Sequence, residues 1–170
     1  MLPLKRILCP VDFSADSRAA LRVAGEMAQY FSAELTVLHV HLSPQPAIWP
    51  YEGLGINPIE AGLSLEESLA LRQSELAAEA RAVLPEDLDL KLEVLEGDPA
   101  QVILERAELH YCDMIVLAPH GRGRLRTAIF GSTAEKVVRE SPCPVVTMHA
   151  RQEAEVDSGD PKEKEAQSSG

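Results

Sequence analysis

The residues with the most chemical promise lie in two glycine-bearing segments. Ala118-Pro119-His120-Gly121 is followed by Arg122 and, with nine residues between Gly121 and it, by Gly131-Ser132-Thr133. Glycine lets backbone N–H groups approach an oxyanion with no Cβ in the way. Ser132 falls where the pattern opens a helix, and at a helix N-terminus unpaired amides and the dipole favour phosphate. One such terminus is worth about 0.3–1 kcal/mol to an exposed charge, so a polyphosphate needs several donors at once. Arg122, Arg124 and Arg126 add a local positive patch, and His120 can orient a phosphate. Each residue has a plainer reading as well: Ser132 as an N-cap, Gly131 as a turn glycine, the arginines as solvated loop charges, His120 as a loop residue. Asp12, just after the first apolar run, is either a ligand-facing carboxylate or the acceptor of an Asx turn. His39 and His149, in or beside apolar runs, read as structural histidines. No GxxxxGK[ST] is present and no GxGxxG follows the first strand, which excludes a P-loop and the usual dinucleotide fold. No spacing of His, Asp or Glu makes a metal site, so Mg²⁺ is expected only in the company of a nucleotide.

The elements that must position these residues follow from periodicity. Lys5 to Val11, Leu35 to Val40 and Met114 to Ala118 are short apolar runs suited to strands buried on both faces. Leu90 to Leu95 mostly alternates, as an outer strand does, and Val145 to His149 is the last strand. Helical spacing links Ala20, Leu21, Ala24, Ala28 and Phe31, with Ser14 as N-cap and Asp16 in the first turn. Ser64 and Glu67 fit a capping box before a helix that ends ahead of Pro85. Asp98-Pro99 starts a helix running to Tyr111, with Asp98 as cap. Ser132 and Glu135 suggest a second capping box, on a helix stopped by Pro142 and Pro144. Residues 41–63, with four prolines and Trp49 and Tyr51, read as a long loop, either a surface excursion or a flap over a pocket. Strands alternating with helices predict an α/β fold: an open five-stranded parallel sheet with helices on both faces. In such sheets ligands sit beyond the carboxyl ends of the strands, where the strand order reverses. That edge holds Asp12, Val40 and the loop after Ala118.

With these pieces in order, the chain resembles the universal stress protein family. Its nucleotide-binding branch carries G-x-x-G, nine residues, then G-[ST]. Here Ala118 stands in place of the first glycine, where it adds a methyl group and excludes positive φ, and Pro119 has no N–H to donate. The flanks Ile7-Leu8-Cys9-Pro10-Val11-Asp12, Leu38-His39-Val40 and Pro142-Cys143-Pro144-Val145-Val146 are similar to that family too, and the likeness spans about residues 3 to 149. The resemblance implies a Rossmann-like, adenine nucleotide α-hydrolase-like sheet of order 3-2-1-4-5. It implies ATP or AMP, with Mg²⁺ arriving on the phosphates. Asp12, beside Pro10 and Val11, would meet the adenine or ribose end, and Val40 would offer backbone groups to the adenine. Ala118 would line the ribose. Gly121, Gly131, Ser132 and Thr133 would hold the phosphates, with His120 and Arg122 beside them. It also implies a homodimer through the last strand at Val145, Val146 and Thr147.

Composition bounds the rest. The 170 residues are 45% hydrophobic, enough for one domain, read here as 1–150, followed by a solvated tail at 151–170 with three basic and six acidic side chains. The net charge of −11 argues against nucleic acid as a partner. No run nears the roughly 20 apolar residues of a membrane span, and the apolar stretch after Lys5-Arg6 is too short for a signal peptide. Cys9, Cys112 and Cys143 are odd in number and widely spaced, which points to a reduced, cytoplasmic setting. The leading expectation is an adenine-nucleotide-binding regulatory protein of the stress-response kind, acting as a homodimer with an unspecified protein partner. The alternatives are a nucleotide-free dimeric adaptor and an enzyme that slowly hydrolyses ATP or phosphorylates itself on Ser132 or Thr133. Against the enzyme, no general base stands beside the glycine loop and no carboxylate pair for Mg²⁺ accompanies Asp12.

Overall fold

The computed structural model describes residues 4–42, 63–120 and 130–149. In chain order these form β1 (Arg6–Pro10), α1 (Ala15–Phe31), β2 (Glu34–His41), α2 (Leu65–Val83), β3 (Leu90–Glu96), α3 (Pro99–Leu109), β4 (Met114–Leu117), α4 (Ser132–Glu140) and β5 (Val145–Thr147). The five strands are parallel and ordered β3-β2-β1-β4-β5, the predicted topology. The switch point lies between β1 and β4: the chain steps outward through β2 and β3, then returns to the other side of β1.

Side chains alternate across a strand, so a central strand must be apolar on both faces. On β1, Ile7 and Cys9 enter a core with Leu35, Val37, Leu21, Ala24 and Leu76, under α1 and α2. Leu8, between them, enters the opposite core with Leu38, Ile115, Ile103, Ala107 and Val137, under α3 and α4. β3 closes one edge of the sheet, and its half-buried residues explain its alternating sequence. No described helix is long and apolar enough to cross a membrane.

The helix starts show which local signals act. Ser14 Oγ accepts from Ser17 N–H at 3.1 Å, and Asp98 Oδ1 accepts from Gln101 N–H at 2.9 Å. Ser64 and Glu67 complete their reciprocal box at 3.2 and 2.7 Å. Three boundaries differ from expectation. α3 stops at Leu109 because His110 caps it and Tyr111 turns to φ +50°. β5 is three residues long and ends before His149. The capping box at Ser132–Glu135 does not form: Gly131 is the N-cap of α4 and Ser132 is the first helical residue, one position too late for its hydroxyl to cap. Residues 43–62, which include Trp49 and Tyr51, and the 151–170 tail lie outside the described residues.

Two cysteines are buried in the cores and one is half-buried. Burial, then the nearby Cys143, pushes the Cys112 thiol from its ordinary 9.0 up to about 12. Below pH 9 both folded and unfolded chains keep this proton. Above it only the unfolded chain loses it, so stability drains away as pH rises from 9 toward 12, by about 1.4 kcal/mol per pH unit. Urea unfolding between pH 9 and 12 is expected to show a shallower loss for Cys112→Ala than for the parent chain; equal slopes would contradict this account.

Candidate functional site

The carboxyl ends of β1, β2 and β4 meet at the switch point, and the chain leaving β1 is held there by a dense local network. Val11 N–H continues the sheet by donating to Leu38 C=O at 2.8 Å. Val11 C=O lies 2.9 Å from His39 Nδ1, which therefore carries the proton and donates. Asp12 Oδ1 accepts from Ser14 N–H at 3.1 Å, the Asx turn, and Asp12 N–H donates to Ser17 Oγ at 3.4 Å. Phe13, between them, adopts φ +63°, a left-handed conformation that an aromatic residue rarely takes. Its ring is held from two sides, by the His39 ring at 4.5 Å and by the Arg72 guanidinium from α2 at 6.0 Å. Arg72 is buried and pairs with Glu75. These contacts offset a backbone strain of about 1–3 kcal/mol and fix where the Asp12 carboxylate stands.

On the other side of the switch point, β4 gives way to Ala118, the fully buried Pro119 and His120. Gly131 N–H donates to Pro119 C=O at 2.8 Å, which pins the start of α4 beside the end of β4. α4 is the one described helix whose N-terminus has no side-chain cap. The Gly131 amide is thus committed to Pro119, and the donors left to an anion are those of the first helical turn, Ser132, Thr133 and Ala134. Ser132 is exposed and Thr133 half-buried. Gly131 itself sits at φ −71°, so its value here is the missing side chain and not an unusual backbone angle.

The structure therefore brings together Pro10, Val11, Asp12, Val40, Ala118, His120, Gly131, Ser132 and Thr133 along one edge. Pro10 is half-buried at the end of β1, and Val40 is half-buried on β2 opposite Leu95 of β3. Gly121 and Arg122, with Arg124 and Arg126, lie outside the described residues. His39 is the structural histidine expected. His149 is not: it is exposed, and its ring lies 5.9 Å from that of His120. Phe13, Arg72 and His149 gave no local signal, because Arg72 is about 60 positions from Phe13 in the chain and His149 is 29 from His120.

Comparison with known proteins places this architecture. The sequence profile of the universal stress protein family matches residues 3–149. The stress response protein NhaX of Bacillus subtilis is 34% identical over 163 residues, covering 86% of this chain and 98% of that protein. The structure of universal stress protein UspA from Lactobacillus plantarum superposes with a TM-score of 0.68 at 29% identity, covering 86% of this chain and 98% of its own. A universal stress protein solved in complex with cAMP shares the fold, with a TM-score of 0.60 at 20% identity, 86% of this chain and 97% of that one.

The capping difference is directly measurable. Asp98→Ala removes a formed cap and is expected to cost about 0.5–2 kcal/mol in urea unfolding. Ser132→Ala removes no cap and is expected to stay within about 0.5 kcal/mol of the parent chain. A comparable loss in both variants would mean that Ser132 caps α4 after all.

Proposed function

This chain belongs to the universal stress protein family, and from that premise we propose that it is an adenine-nucleotide-binding stress-response regulator that works as a homodimer. The observation that carries the reading is the uncapped first turn of α4, held by the Gly131–Pro119 hydrogen bond at the sheet's switch point. Three consecutive amides there, with the Ser132 and Thr133 hydroxyls, form a cradle for the phosphates of ATP or AMP. His120 flanks it and Gly131 leaves room for the chain of phosphates, and Gly121 and Arg122, outside the described residues, are the sequence's further candidates for this end of the site. Mg²⁺ arrives with the nucleotide. Asp12, beside Pro10 and Val11, accepts from the ribose hydroxyls or the adenine amine. Val40 offers its backbone to the base, and Ala118 lines the ribose. An adenine nucleotide fits this edge better than a bare phosphate because Asp12 supplies a fixed acceptor at the end of the site away from the anion donors. The complex of a universal stress protein with cAMP supports the choice of base. The family domain occupies 1–150 in this reading, with the acidic 151–170 segment outside it, and the protein acts in the cytoplasm with a protein partner.

The homodimer uses β5, the open edge of the described sheet. Ile115 N–H donates to Pro144 C=O and Met148 N–H to Leu117 C=O, so the alternating residues Val145 and Thr147 turn their backbone groups away from β4. An unpaired edge of this kind pairs readily with its twin. Ligand binding then acts through the dimer and not through turnover.

Calorimetric titration with ATP tests the site. About one nucleotide per chain is expected, with affinity lowered at least about tenfold, or about 1.4 kcal/mol, in Asp12→Asn and in Gly131→Val. Asn keeps an oxygen for the Ser14 amide, so the turn survives while the charge and the second acceptor are lost. Absence of heat at millimolar ATP would overturn the reading in favour of a nucleotide-free adaptor. For the interface, Thr147→Pro removes an outward N–H while leaving the β4 ladder intact. It is expected to turn the dimer into a folded monomer in sedimentation velocity; an unchanged dimer would place the interface elsewhere.

A further inference from the structure

We infer that His120 and His149 together form a binding site for a divalent transition cation of the zinc class, at the outer rim of the switch-point edge. The five histidines divide by surroundings. His39 and His41 are buried on β2, and His110 stands 3.3 Å from Glu93. His120 and His149 lie side by side, one half-buried and one exposed. The fold sets this meeting. β4 and β5 are parallel and in register through Leu117 and Thr147, and Met148 N–H still bonds Leu117 C=O, so the chain beyond each strand emerges side by side. Pro119 is buried and its carbonyl is held by Gly131, which fixes the backbone from which His120 departs.

The geometry suits a shared ion better than a stacked pair. The ring centres are 5.9 Å apart and the planes are tilted by 53°, so the rings do not lie face to face. Zinc binds imidazole nitrogen at about 2.0–2.1 Å, which places the centres of two rings on one ion on the order of 5–6 Å apart. Imidazole is the commonest protein ligand for such ions, and softer cations prefer it over the oxygen-only sites that suit Mg²⁺. Among the described residues no third ligating side chain joins the pair. Such a site lies beside the start of α4, where an ion adds positive charge to the edge. The cation is bound by the chain alone, whether or not a nucleotide binds.

The test is a Zn²⁺ titration of the full chain after chelator treatment, with no nucleotide present, followed by calorimetry and by the histidine ring signals in NMR. One Zn²⁺ per chain is expected, with the His120 and His149 signals moving together and the His110 signals still. His120→Ala and His149→Gln are each expected to weaken binding at least about tenfold, which is 1.4 kcal/mol, while His110→Ala leaves it unchanged. His149 is exposed, so its variant retains the fold, and unaltered circular dichroism confirms this. Binding unaffected by both variants, movement of the His110 signals in place of the pair, or no binding would each overturn the assignment. The ATP titration stands apart: zinc binding without ATP binding removes the nucleotide reading alone, and the converse removes this one alone.

Discussion

The α4 side of the edge depends on a single hydrogen bond, from the Gly131 amide to the Pro119 carbonyl. Pro119 is buried and cannot donate, so its carbonyl is the only backbone polar group it brings inside, and it must be satisfied. Gly131 satisfies it. In doing so it becomes the N-cap of α4 with no side chain of its own to fold back over the helix start. The following amides have no partner within the helix. A serine, threonine or aspartate at position 131 would cap α4 and close the cradle, as Ser14, Ser64 and Asp98 do on the other three helices. The same bond thus builds the fold and leaves the site open.

The Asp12 side of the edge uses a different economy. There the carboxylate serves the turn, and the site is held by contacts arriving from far along the chain: the His39 ring, itself bonded to the Val11 carbonyl, and the Arg72 guanidinium. Phe13 is the residue they converge on, and its left-handed backbone is what carries the chain from β1 into α1 so soon after Asp12. A rigid acceptor on one side and a row of amides on the other give the edge its polarity.

Much of this was legible from the sequence because the signals are local. The apolar runs at 5–11, 35–40 and 114–118 need no partner information to be read as central strands, and Ser14, Ser64 and Asp98 cap where their spacing says they should. The exchange of Ser132 for Gly131 as the α4 cap was not legible. Both residues suit the position, and the choice is made by the buried Pro119 carbonyl, which no local pattern reveals. The Phe13–Arg72 and His120–His149 meetings were hidden for a related reason. They are products of strand register and helix packing, which no local pattern encodes. The glycine spacing drew attention to this edge; the tertiary contacts set its geometry.

The measurement that bears most directly on the central claim is amide NMR of the chain titrated with ATP. The account predicts that the signals of Ser132, Thr133 and Ala134 shift most, with Asp12 and Val40 following. The Gly131 amide, already bonded to Pro119, should move less. No shift at millimolar ATP, or shifts confined to residues away from the carboxyl ends of β1 and β4, would contradict it.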